Sequence, residues 1–277
     1  MVTGLPADAV LAQLEQWQLR PDGPAIHGHG TLVQPVRTAE ETAAVLKLGS
    51  ADAGSEHEHL VLRRWGGSGA VRLLRADPHR RALLLERLRP QHLDSLSDYE
   101  ACGVVGELYH RLHVPALPQL RTLTSLVEQW LGEFSVLPRN APIPHRLVEQ
   151  ASALGRDLIA DRSGADRVVL HGNLHSGNVL TAGREPWLAI APRPINGDPH
   201  FEIAPMLWHQ WDELAGYVRD GVRTRLHTLL DAAGLDEDRA RGWAIVRVIH
   251  AAVREVDSGS DAAAITRYIA LAKAVQD

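Results

Sequence analysis

Between Val168 and Pro199 the chain reads VVLHGNLHSGNVLTAGREPWLAIAPRPINGDP, and three polar residues in it stand at a spacing that bears on chemistry: His171, Asn173 and Asn178. The pattern H-x-D-x-x-x-x-N puts a carboxylate base and a metal-binding amide on one loop, an arrangement that suits phosphoryl transfer. Asn173 stands where the base belongs. A carboxamide can orient a hydroxyl by hydrogen bonding but is almost without basicity, and general-base assistance is worth about 10²- to 10⁴-fold.

Such a loop has to be held by rigid elements. Val168, Val169 and Leu170 read as a buried strand before it, a short strand ends at Leu180 after it, and Trp187 to Ile190 reads as a second strand running into a Pro-rich loop. Asn196-Gly197 reads as a tight turn. Upstream, Asp8 to Leu19 carries Val10, Leu11, Leu14, Trp17 and Leu19 at near-helical spacing between Pro6 and Pro21, which predicts an amphipathic lead helix.

Ile26 to Val36 has the form of strand, turn and strand, with Gly28 and Gly30 at the turn. Glycines there serve a hairpin or bring backbone amides against a phosphate. Ala43 to Leu48 is an apolar strand interrupted by Lys47. An unpaired ammonium is costly to bury, so Lys47 either snorkels at an edge or meets an anion. Ala53 to Trp65 turns helical and offers Glu58, with Glu56 as the fallback. A strand lysine paired with a glutamate of the next helix is the ion pair that steadies nucleotide phosphates.

Ala70 to Leu74 and Ala82 to Leu85 read as two further strands around Asp77-Pro78. Beyond Glu86 to Pro90 the periodicity is helical over Leu93 to Leu112, Leu123 to Leu137 and Pro144 to Ala160. After the central stretch it resumes over His200 to Val218, Val222 to Ala233, Asp236 to Val256 and Asp261 to Val275, with Gly234 and Ser258-Gly259-Ser260 as stops. The fold class is α+β: a small antiparallel β lobe with one helix over residues 1–88, then a larger, mostly helical lobe over 89–277.

Composition fits an ordinary globular chain of 277 residues, 45% apolar and 23% charged. A net charge of −5 gives no basic footprint, so neither nucleic acid nor an anionic membrane is expected as a partner. The absence of a leader pattern and of a spanning apolar run points to the cytoplasm. Cys102, the one cysteine, lies in a helical pattern and reads as a core residue.

Taken in order, these segments resemble the aminoglycoside phosphotransferase-like family, and most closely its streptomycin and hydroxyurea phosphotransferase branch. The resemblance spans roughly residues 25 to 270. It rests on the Gly28/Gly30 turn, Val45-Leu46-Lys47-Leu48, His57-Glu58 with Leu62-Arg-Arg-Trp65, Ala70 to Leu74 with Leu83 to Leu88, and Tyr109-His-Arg-Leu-His-Val-Pro115. It continues through His171-Gly-Asn-Leu-His-Ser-Gly-Asn178, Trp187 to Pro194 and Gly197-Asp-Pro199.

The resemblance implies a protein-kinase-like, two-lobed fold and ATP-dependent phosphoryl transfer to a hydroxylated small molecule, in secondary metabolism or antibiotic resistance. It implies that Lys47 and Glu58 steady the nucleotide phosphates, that Gly28 to Thr31 cover them, and that Glu86 to Leu88 meet the adenine. Asn178 would hold Mg²⁺, His171 would shape the catalytic loop, and Asp198 would tie the following segment to it. Two positions break the family's pattern: Asn173 replaces the catalytic aspartate, and Ala191, thirteen residues beyond Asn178, replaces the metal-binding one.

Mg²⁺ is usually held by one or two carboxylates with substrate phosphates, and alanine offers it nothing. The expectation is therefore a pseudokinase with transfer lost or very weak, ATP binding retained at most, and Mg²⁺ weakly held or absent, with Asp198 the one substitute ligand in reach. The alternatives are an active atypical kinase that uses Asn173 for orientation, and a non-catalytic ligand-binding or scaffold protein with a protein partner. His171, His175, His200 and His209 read as loop-shaping rather than metal-binding. Trp208, Trp211, Asp212 and Glu213 lie where the family builds its acceptor pocket. An aromatic and acidic lining there would suit a cationic small molecule, but core packing of the tryptophans and solvation of the acids are the plainer reading.

Overall fold

The computed structural model describes residues 7–28, 30–49, 56–259 and 262–276. Contacts divide the chain into two compact units, Met1–Gln91 with Leu180–Pro194, and His92–Val179 with Ile195–Asp277. Segment 180–194, placed in the helical half by the sequence division, groups with the sheet: the Arg89 amide donates to the Thr181 carbonyl, and Ala70 bridges Ala189.

The first unit begins with helix α1 (Ala7–Trp17) and strands β1 (Arg20–Pro21), β2 (Ile26–Gly28), β3 (Thr31–Arg37) and β4 (Ala43–Gly49). Helix α2 (Glu58–Trp65) and strands β5 (Leu73–Asp77) and β6 (Ala82–Glu86) follow. The strands pair antiparallel in the order β1-β3-β4-β6-β5, with β2 also on β3. Alternation along β4 divides its side chains between two faces. Ala44, Leu46 and Leu48 pack with Val36, Ala82 and Leu84 beneath Leu14, Trp17 and Leu19, so α1 and the residues after it cover one face of the sheet. Lys47 points to the other face, where α2 supplies its partner.

The expected helix from Ala53 begins, among described residues, at Glu58; Ala53 to Ser55 lie outside them. β5 starts later than Ala70 because the Val71 amide is already bonded to the Ala189 carbonyl. Strands β8 (Val179–Thr181) and β9 (Trp187–Ala189) form a two-stranded sheet that brings Ala189 there.

In the second unit, α3 (Asp98–Leu112) opens on a capping box between Ser97 and Glu100. Then come α4 (Leu123–Val136), α5 (His145–Ala160), α6 (Arg162–Ala165) and strands β7 (Val168–Leu170) and β10 (Ile195–Gly197). The last helices are α7 (Ala204–Trp208), α8 (Val218–Ala233), α9 (Glu237–Asp257) and α10 (Ala262–Gln276). α8 packs on α3 and α10, and α9 on α5 and α10. Where α3 meets α8, a Cβ on Gly106 would stand 2.6 Å from that of Ala232, so glycine permits the close crossing. Cys102 is buried in α3, and burial pushes its thiol up to about 12, as suits a core residue.

Two expectations give way here. Asn196-Gly197 is not a turn: it lies in β10, which pairs antiparallel with β7 through Asn196↔Val169 and Gly197↔Val168. The Asn196 side chain accepts from the Leu117 amide and donates to the Leu117 carbonyl, and a Cβ on Gly197 would stand 2.4 Å from Leu170 Cδ1. The expected helix over His200 to Val218 is broken into a 3₁₀ turn (Pro199–Ile203), α7, and a second 3₁₀ turn (Trp211–Leu214). Left-handed backbone at Gln210 (φ +50°) and Gly216 (φ +89°) interrupts it. Among the described residues no helix is long and apolar enough to cross a membrane.

Candidate active site

The second unit carries the loop that follows β7. His171 is fully buried, and its Nδ1 accepts from the Asn173 amide at 3.3 Å. Gly172 takes φ +76°, which turns the chain without a Cβ penalty. Asn178 closes the loop, its Nδ2 donating to the Asn173 carbonyl at 2.8 Å and meeting His175 Nε2 at 3.0 Å. The Asn173 side chain is half-buried and makes no hydrogen bond to any described residue.

The loop rests on Glu202, a residue that sequence reasoning passed over. Its carboxylate is fully buried and accepts the His171 and Gly172 amides at 2.8 and 2.7 Å. His113 Nε2 stands 3.8 Å away, stacked on Tyr109, whose hydroxyl donates to the Glu202 carbonyl. Burial works to raise the Glu202 pKa, but His113, His171 and Arg247 together hold it below the usual carboxylate range. Arg247 braces the same turn by donating to the Gly172 and Phe201 carbonyls. The one sequence signal was an acid set between Phe201 and Ile203 in an apolar run.

Asp198 lies where β10 ends, and both its oxygens are occupied. Oδ1 accepts from the His200 amide and from His200 Nδ1, at 3.0 and 2.5 Å. Oδ2 accepts from Trp243 Nε1 at 2.8 Å and from Arg239. Burial works to raise this carboxyl, but the hydrogen bonds from His200 and Trp243 hold it at about 2. The Asp236 amide donates to His200 Nε2, which places the His200 proton on Nδ1, toward Asp198.

The other histidines pack on the loop or beside it. The His175 and His209 rings lie 4.1 Å apart, His209 Nε2 is 3.2 Å from Asp94, and His92 Nδ1 meets the Gly177 carbonyl at 2.9 Å. Trp208 lies edge-on to Tyr268, while Asp212 and Glu213 are exposed.

The first unit places Lys47 Nζ 2.8 and 2.7 Å from the two Glu58 carboxylate oxygens, with both residues buried. Glu58 rather than Glu56 is therefore the partner. Burial raises the Glu58 pKa and the Lys47 ammonium opposes that rise. Gly28 pairs with Thr31 across the β2–β3 hairpin, and a Cβ on it would stand 2.8 Å from Thr31 Oγ1; Gly30 has φ +67°. His29, between them, lies outside the described residues. Glu86 ends β6 with its carboxylate on Arg184 Nε and Nη2 and on the Arg72 amide; Leu88 follows, half-buried. Ala191 adopts φ +53°, a left-handed conformation that alanine takes at a cost and Asn, Asp or Gly take more readily.

The whole chain is similar in fold to solved phosphotransferases. A choline kinase from Streptococcus pneumoniae aligns with a TM-score of 0.65 at 13% identity, over 97% of this chain and 98% of that one. A macrolide 2′-phosphotransferase from Brachybacterium faecium aligns with a TM-score of 0.62 at 15% identity, over 95% of this chain and 96% of that one. The fold is thus protein-kinase-like, an α+β fold with an antiparallel sheet unit and a helical unit.

In sequence the chain is 39% identical to the streptomycin 6-kinase of Streptomyces glaucescens, over 98% of this chain and 90% of that protein. It is 39% identical to the hydroxyurea phosphotransferase of Kitasatospora aureofaciens, over 98% of this chain and 79% of that protein. Residues 16–259 match the pattern of the aminoglycoside/hydroxyurea antibiotic resistance kinases. With that match, and with relatives this similar over nearly its full length, the chain belongs to the aminoglycoside/hydroxyurea antibiotic resistance kinase family.

Proposed function

We propose that this protein is a pseudokinase of its family, which binds a nucleotide or another phosphate-bearing ligand and has lost, or nearly lost, phosphoryl transfer. One observation carries the reading: the two positions where the family's pattern puts carboxylates hold Asn173 and Ala191. Asn173 can orient an acceptor hydroxyl but cannot take its proton.

The residues at the metal position do not fit Mg²⁺, a hard cation that wants carboxylate oxygen. Ala191 has no donor atom, Asn178 presents one neutral amide oxygen, and Asp198 is committed to His200, Trp243 and Arg239. Among the described residues no group of three or more His, Cys, Asp or Glu side chains is placed to hold a metal. Asp198 is accordingly a structural residue in this reading, not a substitute ligand.

A phosphate-bearing ligand is supported by the buried Lys47, which Glu58 holds in place through both carboxylate oxygens. The Glu86 side chain is engaged by Arg184, so contact with an adenine would come from the backbone of Glu86 to Leu88. The cytoplasm, where ATP is available, is the matching compartment.

A second reading, a slow kinase that uses Asn173 for orientation, is favoured by the 39% identity to proteins named as kinases. Labelled ATP with streptomycin, hydroxyurea and other hydroxylated acceptors separates the two: the pseudokinase yields no labelled product at high protein concentration, and the slow kinase yields some. ATP should raise the Tm equally with and without Mg²⁺. No ATP stabilisation under either condition would favour a scaffold that meets a protein partner.

A further inference from the structure

We propose that the sheet unit holds a second small-molecule site, an anion pocket of about 230 Å³ between the C-terminal end of α2 and the edge strand β5. Its ligand is a phosphomonoester dianion with a small carbon body. The inference goes beyond the nucleotide reading and uses none of its residues: the pocket shares no lining residue with the cavity at Lys47 and Glu58.

Positive charge gathers here against the balance of the chain. Residues 56–91 hold eight arginines and four acids, although the net charge of the whole is −5. Arg63, Arg72 and Arg75 line the pocket, and no acidic side chain lines it among the described residues. Asp77, the one acid of β5, meets Arg80 at 3.9 Å instead. The Arg63 and Arg72 guanidiniums make no ion pair or hydrogen bond to any described residue. Arg75 lies over the Trp17 ring, 4.9 Å from its centre, an electrostatic contact that leaves its hydrogen bonds to be made elsewhere.

All three arginines are exposed, and an exposed arginine needs no partner but water, so charge alone defines no site. Arg63, in the last turn of α2, also complements the negative end of that helix. Two features of the backbone go further. Gly67 takes φ +93°, and a Cβ on it would stand 2.6 Å from Arg72 Cγ and 2.9 Å from Arg72 Nε. The absent side chain lets the Arg72 stem lie against the loop that follows α2, which fixes where its head is presented. The strand β5 is the last of its sheet, and its register shifts at a bulge between Leu73 and Arg75. Charges and a bulge keep a further strand from pairing with such an edge, which disfavours a peptide as the occupant. Guarding an edge needs no cavity behind it, and a compact ligand is the occupant that the cavity suits.

The lining sets the ligand's chemistry. A guanidinium fork matches phosphate oxygens in pairs, and two forks without a protein partner suit a dianion better than a monoanion. Leu62, Leu73, Leu74 and Ala76 offer an apolar wall to the carbon body, which would also cover part of the exposed Leu74. A cavity of about 150 Å³ accommodates benzene, so this one admits one ring together with its phosphate.

Calorimetric titration of the full chain without nucleotide, at about pH 8 where a phosphomonoester is a dianion, tests the site with phenyl phosphate, inorganic phosphate and phenol. Phenyl phosphate should bind saturably, inorganic phosphate about tenfold more weakly for want of a ring, and phenol not measurably. Arg63→Gln and Arg72→Gln, both at exposed positions, should each weaken phenyl phosphate by about tenfold with an unchanged Tm. Lys47→Met with Glu58→Leu should leave its affinity as it is in the parent. The proposal is overturned if phenyl phosphate does not saturate, if phenol binds as tightly, or if both arginine variants bind phenyl phosphate as the parent does. It is equally overturned if the Lys47 and Glu58 double variant loses phenyl phosphate, which would assign the anion to the nucleotide site.

Discussion

Glu202 receives the backbone amides of both His171 and Gly172, at 2.8 and 2.7 Å, from a position with no exposure to solvent. One carboxylate thus sets the turn from which Asn173 projects, while Arg247 holds the Gly172 carbonyl from the other side. Glu202→Ala leaves the buried His171 amide and the half-buried Gly172 amide unpaired and should cost about 3 kcal/mol. Glu202→Gln keeps an acceptor oxygen and should cost less. Guanidinium unfolding of the two variants checks the order.

Lys47 and Glu58 are a buried pair, and removing one partner strands the other. Lys47→Met should destabilise by about 3–5 kcal/mol, whereas Lys47→Met with Glu58→Leu should recover most of that loss. The double variant should nonetheless show no ATP-induced rise in Tm, which separates ligand binding from folding. A double variant that ATP stabilises as well as it does the parent would remove Lys47 from the ligand site.

Asp198 gives the fold an acid-sensitive joint. Its folded carboxyl titrates at about 2, against an ordinary 3.8, so the folded state binds its proton less readily than the unfolded state does. The stabilisation is complete above about pH 5 and is lost progressively as the pH falls through about 2, a loss of about 2 kcal/mol. Asp198→Asn should flatten the stability profile over that interval, as measured by urea unfolding at a series of pH values.

Ala191 sits in left-handed backbone at φ +53°. Ala191→Gly should therefore stabilise by roughly 0.5–1 kcal/mol, the steric penalty of the left-handed conformation less the entropy of glycine. Ala191→Asp should be tolerated, because Asp visits this region more readily than Ala. Thermal unfolding of both variants decides it.

The sheet, the helices α8 and α9, and the loop spacing were legible because each shows a clean period or a motif with fixed offsets. Lys47 on an apolar strand had either to snorkel at an edge or to meet an anion, and Glu58 on the next helix is the anion it meets. Residues 196 to 216 were not legible, for tertiary reasons. Asn196-Gly197 is a favoured turn pair by composition, yet Gly197 is needed because Leu170 fills the space of its side chain. The helix break at Gln210 involves a residue with good helical propensity, so nothing local announces it. Glu202 looked like one helical acid among many, since a carboxylate's backbone partners thirty residues away leave no mark on spacing.

The central claim is that a kinase frame persists here without its two carboxylates, and phosphoryl transfer from labelled ATP tests it most directly. Wild-type protein should give no Mg²⁺-dependent product above the buffer control, and Asn173→Asp with Ala191→Asp should restore Mg²⁺-dependent turnover. Wild-type turnover in the ordinary kinase range of about 1–100 s⁻¹ would contradict the account.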